Sequence, residues 1–93
     1  MIKERQDIVD AYHHSIRNRA ELKLSKMSGC FHCLEVFPVA EIWEWIRETR
    51  EEDELLTAMC PRCGIDAVIG DASGYAIADV QFLERMRSRW FDI

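Results

Sequence analysis

Apolar residues recur at every third or fourth position along the first quarter of the chain. The stripe consists of Val9, Tyr12, Ile16, Ala20 and Leu24, and charged residues occupy most of the positions between them. This spacing places the apolar side chains on one face of an α-helix. The pattern therefore predicts a first helix over about residues 4–24.

A second helical pattern follows a break at Ser28 and Gly29. Its apolar positions are Val39, Ile42, Trp43 and Ile46, and most of the remaining positions are acidic. Pro38 suits the first turn of a helix because proline lacks the N–H that is unpaired there. We therefore expect an acidic helix over about residues 38–52, preceded by a first cysteine knuckle over residues 28–36.

The second half of the chain has the pattern of a β-hairpin and a closing helix. A segment rich in β-branched residues at 65–69 is followed by turn formers at 70–74 and a short apolar segment at 75–77. This order predicts a hairpin within residues 55–78. Asp79 is a suitable N-cap, and the apolar positions that follow predict a helix over about residues 79–91. Those positions are Val80, Leu83, Met86 and Trp90.

The composition is that of an ordinary globular chain. The 93 residues are 48% hydrophobic and 31% charged, which predicts a single domain over residues 1–93. No apolar run approaches the roughly 18 residues that a membrane span needs. The N-terminus also lacks the apolar stretch of a secretory signal, so we expect a cytoplasmic protein.

Four cysteines in two Cys-x-x-Cys pairs are the most informative feature of the sequence. The pairs are Cys30 with Cys33 and Cys60 with Cys63. A Cys-x-x-Cys loop brings two sulfurs to one ion, and two such loops complete the tetrahedron that zinc prefers. The sequence therefore predicts one structural Zn²⁺ held by the four cysteines. Four sulfur ligands leave no position for a catalytic water, so we expect no enzymatic activity.

Other chemistries stay open on the sequence alone. Cys60-Pro-Arg-Cys63 resembles a dithiol redox site, and the cysteines could instead form structural disulfides. A hydrolase would depend on His13 or His14, although adjacent helical residues point about 100° apart. The segment Gly70-Asp71-Ala72-Ser73-Gly74 lacks the lysine of a phosphate-binding loop, so we expect it to form a plain turn.

The charge distribution suggests how the protein meets its partners. Residues 41–54 contain seven acidic and two basic side chains, and the whole chain has a net charge of −5. We expect Trp43 and Trp90 to be buried, and Trp45 and Phe91 to be open to a partner. The predicted surface for a protein partner consists of Trp45, Glu48, Glu51, Glu52, Asp53 and Glu54.

Binding of nucleic acid is the main alternative, although the net charge disfavours it. It would use the basic faces of the first and last predicted helices. Those faces carry Arg17, Arg19, Lys23 and Lys26, and Arg85, Arg87 and Arg89.

Three blocks resemble a family of small, uncharacterised bacterial zinc-ribbon-like cytoplasmic proteins. The blocks are Ser28 to Cys33, the group Glu41, Ile42 and Trp45, and Cys60 to Tyr75 with Phe82, Leu83, Met86, Trp90 and Phe91 downstream. The resemblance runs from about His14 to Phe91 and implies zinc and a cytoplasmic location, but no reaction. The acidic stretch after Trp45 is longer than is typical of the family, and Ala76 replaces a typical proline.

Together these patterns predict a small α+β domain. Its zinc-ribbon-like centre, formed by two knuckles and a β-hairpin, is packed by N-terminal, middle and C-terminal helices. We expect it to act as a non-enzymatic protein-interaction or regulatory module.

Overall fold

A computed structural model of the protein describes residues 8–47 and 53–92 and has a small α+β fold. Residues 8–12 are helical (α1), and the other two helices are α2 (Arg19–Lys23) and α3 (Val80–Phe91). The strands are β1 (Met27–Cys30), β2 (Val36–Pro38), β3 (Trp45–Ile46), β4 (Thr57–Ala58) and β5 (Val68–Gly70).

The strands form two antiparallel sheets. In the larger sheet β1 lies between β2 and β5, with Ser28 opposite Phe37 on one side and opposite Gly70 on the other. In the smaller sheet β3 pairs with β4, with Trp45 opposite Ala58. Three residues of β1 and all of β5 are buried, so these two neighbouring strands belong to the core.

The region predicted as one helix over residues 4–24 is divided in two. The helix α1 passes into a 3₁₀ turn at His13–Ser15, and the backbone of Ile16 is extended before α2 begins. Asn18, only 3% exposed, explains the break. Its side-chain amide donates to the carbonyl oxygens of His14 and Val68 and accepts from the N–H of Ala58, which draws the chain inwards. Residues 4–7 lie outside the described residues.

The acidic helix predicted over residues 38–52 is absent from its described part, residues 38–47. A 3₁₀ turn at Val39–Glu41 leads into β3 instead. The N–H of Val39 donates to the carbonyl of Lys26, and the N–H of Met59 donates to the carbonyl of Glu44. These bonds to distant segments replace the bonds of a local helix. Residues 48–52 of the prediction lie outside the described residues.

The predicted hairpin also has a different partner. Strand β5 pairs with β1, whereas residues 75–77 form no strand. Side-chain hydrogen bonds hold the turn between them in place. The Asp71 carboxylate accepts from the N–H groups of Lys26 and Met27. The Ser73 hydroxyl donates to the carbonyl of Gly70. The closing helix is present at Val80–Phe91, and the side chain of Asp79 caps it by accepting from the N–H of Gln81.

One cluster of buried side chains joins the larger sheet to α3 and to the cysteine loops. Its largest fully buried members include Phe31, Phe37, Leu22, Ile69, Leu83 and Met86. Helix α3 buries Phe82, Leu83 and Met86. The cysteine loops are therefore anchored to the core of the domain.

Candidate metal centre

The four cysteines lie at the ends of two strands that are distant in sequence. Cys30 is the last residue of β1, and Cys33 lies in the turn that follows it. Cys60 comes shortly after β4, with Cys63 in the next turn. The four Sγ atoms all lie within 4.8 Å of one another. The fold thus brings the two Cys-x-x-Cys pairs to one point.

The first knuckle, residues 30–35, is closed by backbone hydrogen bonds. The N–H of Cys30 donates to the carbonyl of Glu35 over 2.9 Å, and the N–H of Leu34 donates to the carbonyl of Cys30 over 2.8 Å. The N–H of His32 points at the Cys30 Sγ over 3.4 Å. Leu34 has a positive φ of 65°.

The second knuckle, residues 60–65, repeats this arrangement. The N–H of Cys60 donates to the carbonyl of Ile65, and the N–H of Gly64 donates to the carbonyl of Cys60, both over 2.9 Å. The N–H of Arg62 points at the Cys60 Sγ over 3.3 Å. Two loops of the same shape thus present their sulfurs to each other, and a backbone N–H points at the first sulfur of each loop.

The distances between the sulfurs fit a tetrahedral ion. The Sγ atoms of Cys30 and Cys63 lie 3.7 Å apart, as do those of Cys33 and Cys60. A Zn–S bond is about 2.3 Å long, so a regular tetrahedron of sulfurs around zinc has edges of about 3.8 Å. Each of these two pairs joins one knuckle to the other. The arrangement is therefore suited to a single metal ion shared by both knuckles.

The environment of the metal-free thiols is uneven. Burial raises the pKa of Cys30 far above its ordinary value, against the hydrogen bonds from the N–H groups of Cys33 and His32. Burial also raises the pKa of Cys63, to about 11. Burial also acts to raise the pKa of Cys60. Hydrogen bonds to its sulfur, of which the one from the N–H of Arg62 is the strongest, outweigh burial and lower the pKa. A bound cation would offset the cost of placing thiolates here.

An ion-pair network outside the cysteine cluster links the second knuckle to the end of the first knuckle and to the 3₁₀ turn that follows β2. The Arg62 guanidinium donates to both carboxylate oxygens of Glu41 and to Glu35, and it lies 5.7 Å from the centre of the Phe37 ring. The sequence gives no spacing signal for this network, because its members are 21 to 27 residues apart.

His32 lies inside the first knuckle, but its ring is not part of the cluster of possible ligand atoms. Its ring packs edge-on against Phe91 with the centroids 4.8 Å apart. Its Nδ1 atom is buried without a hydrogen-bond partner in the described residues. The group of His32 that contacts a sulfur is its backbone N–H, which points at the Cys30 Sγ.

The predicted partner surface is only partly described. Trp45 is half-buried beneath the guanidinium of Arg19. Asp53 pairs with Arg47, and Glu54 pairs with Lys23. Glu48, Glu51 and Glu52 lie outside the described residues. The expected burial of the aromatic residues is wrong in part, because Trp43 is 74% exposed whereas Phe91 is half-buried against Phe31.

The adjacent residues His13 and His14 contact different side chains. His14 Nδ1 lies 2.9 Å from a carboxylate oxygen of Glu21, and the His14 ring packs edge-on against Tyr75. His13 is exposed, with its ring near that of Tyr12. A local sequence pattern could not show this contact, because the break before α2 brings Glu21, seven positions along the chain, back onto His14.

Comparison with protein-family models, with curated proteins and with solved structures finds no match for this chain. The resemblance to a bacterial zinc-ribbon-like family therefore stays a prediction. Within the described residues, no helix has the length and apolar character needed to cross a membrane. The geometry of the four cysteines is thus the basis for assigning a function.

Proposed function

We propose that the protein is a non-enzymatic protein-interaction module whose zinc-ribbon-like centre is held by one structural Zn²⁺. The observation that carries the proposal is the meeting of four cysteine sulfurs, from two knuckles of the same shape, within 4.8 Å. The ligands would be Cys30, Cys33, Cys60 and Cys63. The ion would supply stability to a domain whose strands are only two to four residues long.

The donor set favours zinc. Soft thiolates in a tetrahedron select zinc or iron over the hard cations magnesium and calcium. Zinc fits a closed site of this kind because it imposes no geometry beyond the tetrahedron and has no redox chemistry. An iron site would differ in a simple way, because iron bound to four thiolates absorbs visible light and zinc does not.

The same geometry supports a structural role over a catalytic one. Four sulfur ligands leave no open position at which zinc could activate water. A dithiol redox site is also less well supported. The two sulfur pairs that lie 3.7 Å apart each join different knuckles, as shared ligation requires.

The interaction role rests on the charge of residues 41–54, which carry an excess of five negative charges. Such a segment attracts basic partners and repels phosphates. Nucleic-acid binding has less support, because Arg19 lies over Trp45 and Lys23 pairs with Glu54. We therefore favour a protein partner. Its location in the cytoplasm stays a prediction from the sequence.

The zinc part of the proposal is tested by metal analysis of protein purified from cells. We expect one zinc per chain, and a thermal midpoint that falls by more than about 10 °C when a strong chelator removes the metal under reducing conditions. Added Zn²⁺ should restore the midpoint. Protein that is purified without metal and keeps its midpoint in chelator would refute the proposal.

The interaction part is tested by neutralising the acidic segment. Glu51→Gln, Glu52→Gln, Asp53→Asn and Glu54→Gln, combined in one variant, should reduce the fraction of chain found in complexes by native mass spectrometry. Zinc should stay bound. A control variant with Asp66→Asn and Glu84→Gln removes exposed acids elsewhere and should keep the complexes. Equal complex formation by all three proteins would contradict an acidic interaction surface.

A further inference from the structure

Arginine side chains of this protein lie over its own aromatic rings. The guanidinium carbon of Arg19 is 5.3 Å from the centre of the Trp45 ring, and that of Arg89 is 4.3 Å from the centre of the Trp90 ring. These are distances at which a cation is attracted to the negative face of the ring. Two of the three tryptophans thus have an arginine partner within the chain.

Trp43 is the third tryptophan, and its ring is open. The residue is 74% exposed, and within residues 8–47 and 53–92 no cationic group lies over its ring. Exposure of so large an apolar side chain is unfavourable unless a partner covers it. Trp43 therefore has the chemistry of the other two tryptophans without their arginine.

The backbone around Trp43 is fixed by its neighbours. Ile42 is buried, and its N–H donates to the carbonyl of Val39 over 3.0 Å. On the other side of Trp43, the carbonyl of Glu44 accepts from the N–H of Met59 over 2.9 Å. Trp43 is therefore held outward between two anchored residues, and little backbone ordering is needed when a partner binds.

The charges beside Trp43 are negative. Glu41 and Glu44 are exposed on either side of it in sequence, and Arg62 holds the Glu41 carboxylate in place. Glu35 also bonds Arg62, so its carboxylate and that of Glu41 together exceed the single positive charge of this guanidinium. The carboxylates near Trp43 in sequence would therefore favour a cationic side chain stacked on its ring.

We propose that Trp43, Glu41 and Glu44 form a docking site for an arginine in a basic segment of a partner protein. The inference rests on the proposed interaction function and names the chemistry of its partner. Arginine suits the site better than lysine because its planar guanidinium both stacks on a ring and pairs with a carboxylate. A nucleic acid would bring phosphates to an acidic surface, and a second copy of the chain would bring a net charge of −5.

The test measures binding of a fluorescent octapeptide of alternating arginine and glycine to the zinc-loaded protein at low salt. Trp43→Ala should weaken binding about tenfold, in keeping with a cation–π contact that loses water. Trp43→Phe should recover part of the loss, and Glu44→Gln should weaken binding about threefold. Leu24→Ala is the matched control, because Leu24 is 80% exposed and has no acidic group beside it in sequence.

The variants separate this site from general attraction between opposite charges. Trp43→Ala keeps every charge of the protein, so binding by charge alone would be unchanged, and that result would overturn the inference. Equal binding of a neutral octapeptide of glutamine and glycine, or self-association lost on Trp43→Ala, would also overturn it. If the octapeptide responds only to neutralisation of residues 51–54, the Trp43 site is wrong and the interaction function stands. Absence of zinc or of any complex would instead count against the proposed function.

Discussion

Leu34 and Gly64 hold equivalent positions in the two cysteine knuckles, and both have a positive φ, 65° at Leu34 and 79° at Gly64. Each donates its N–H to the carbonyl of the first cysteine of its knuckle. Left-handed backbone costs an L-residue about 1 kcal/mol or more, whereas glycine adopts it freely. The first knuckle therefore bears a strain that the second avoids.

Gly64→Ala should lower the free energy of unfolding of the zinc-bound protein by about 1 kcal/mol, measured by urea denaturation. A Cβ at this position meets no atom within 4 Å, so the cost comes from the backbone alone. Gly74→Ala is the matched control, because Gly74 has a φ of 85° and equally open space but lies outside the two knuckle segments. Both variants should lose similar stability, and only Gly64→Ala should release zinc faster. An unchanged urea midpoint for Gly64→Ala would contradict this account of the knuckle.

Removal of a ligand should be far more damaging than removal of a neighbouring side chain. Cys33→Ser and Cys60→Ser should each weaken zinc binding more than about a hundredfold, because loss of an outer partner alone costs about 10- to 100-fold. His32→Ala should keep one zinc per chain, since only its backbone N–H faces a sulfur. Competition with a coloured zinc chelator measures all three. Loss of zinc from His32→Ala would mean that His32 is a ligand.

Zinc binding should strengthen steeply with pH. In the metal-free protein the pKa values of Cys30 and Cys63 lie above their ordinary 9.0, so both thiols are protonated at neutral pH. Because zinc binds thiolates, binding must release at least these two protons. The apparent affinity should therefore rise about a hundredfold or more per pH unit between about pH 6 and 8. Chelator competition at several pH values measures the slope, and a flat profile would rule out ligation by these thiols.

High pH should destabilise the metal-free protein. The unfolded chain loses its thiol protons near the ordinary pKa of 9.0, whereas folded Cys63 keeps its proton up to about 11. The unfolded state then binds fewer protons, so stability falls as the pH rises through this range. The zinc-bound protein should not show this fall, because its thiols are already deprotonated. Thermal midpoints at pH 8 and 10, with and without zinc, measure the difference.

Asn18 should be one of the most sensitive polar residues of the fold. Asn18→Ala leaves the carbonyl of Val68 and the N–H of Ala58 buried without their partner, which should cost about 2 to 4 kcal/mol of unfolding free energy. Urea denaturation of the zinc-bound protein measures the loss. Ser88→Ala, on the exposed face of α3, should change stability by less than about 0.5 kcal/mol. An Asn18→Ala variant as stable as Ser88→Ala would show that these hydrogen bonds contribute little.

The sequence predicts best those features that depend on neighbouring residues. The closing helix and its Asp79 cap follow from a local apolar stripe and a local hydrogen bond, and both are present. The meeting of the two cysteine pairs is also present, as the predicted sharing of one metal ion by four thiols requires. Leu34 shows the limit of this reasoning, because nothing in its side chain indicates a positive φ. Only the comparison of the two knuckles in space makes the similarity visible.

The wrong predictions come from bonds between distant segments. Asn18 breaks the first helix through contacts with residues 40 and 50 positions away, which no local pattern contains. Between the two knuckles, the apolar residues Ile42 and Trp43 contribute to a helical pattern, but no helix forms there. The backbone on either side of them makes hydrogen bonds with Lys26 and Met59 instead. Tertiary hydrogen bonds outweigh a helical propensity of a few tenths of a kcal/mol per residue.

The four cysteines are not equally sheltered, since Cys30 and Cys60 are buried whereas Cys33 and Cys63 are half-buried. A competing small thiol would therefore approach the proposed ion through the second cysteine of either knuckle before it reached the first. Exchange of the ion with the cellular pool would then begin with a mixed complex in which Cys30 and Cys60 still hold it. The lifetime of the bound ion would be decided by the two outer sulfurs.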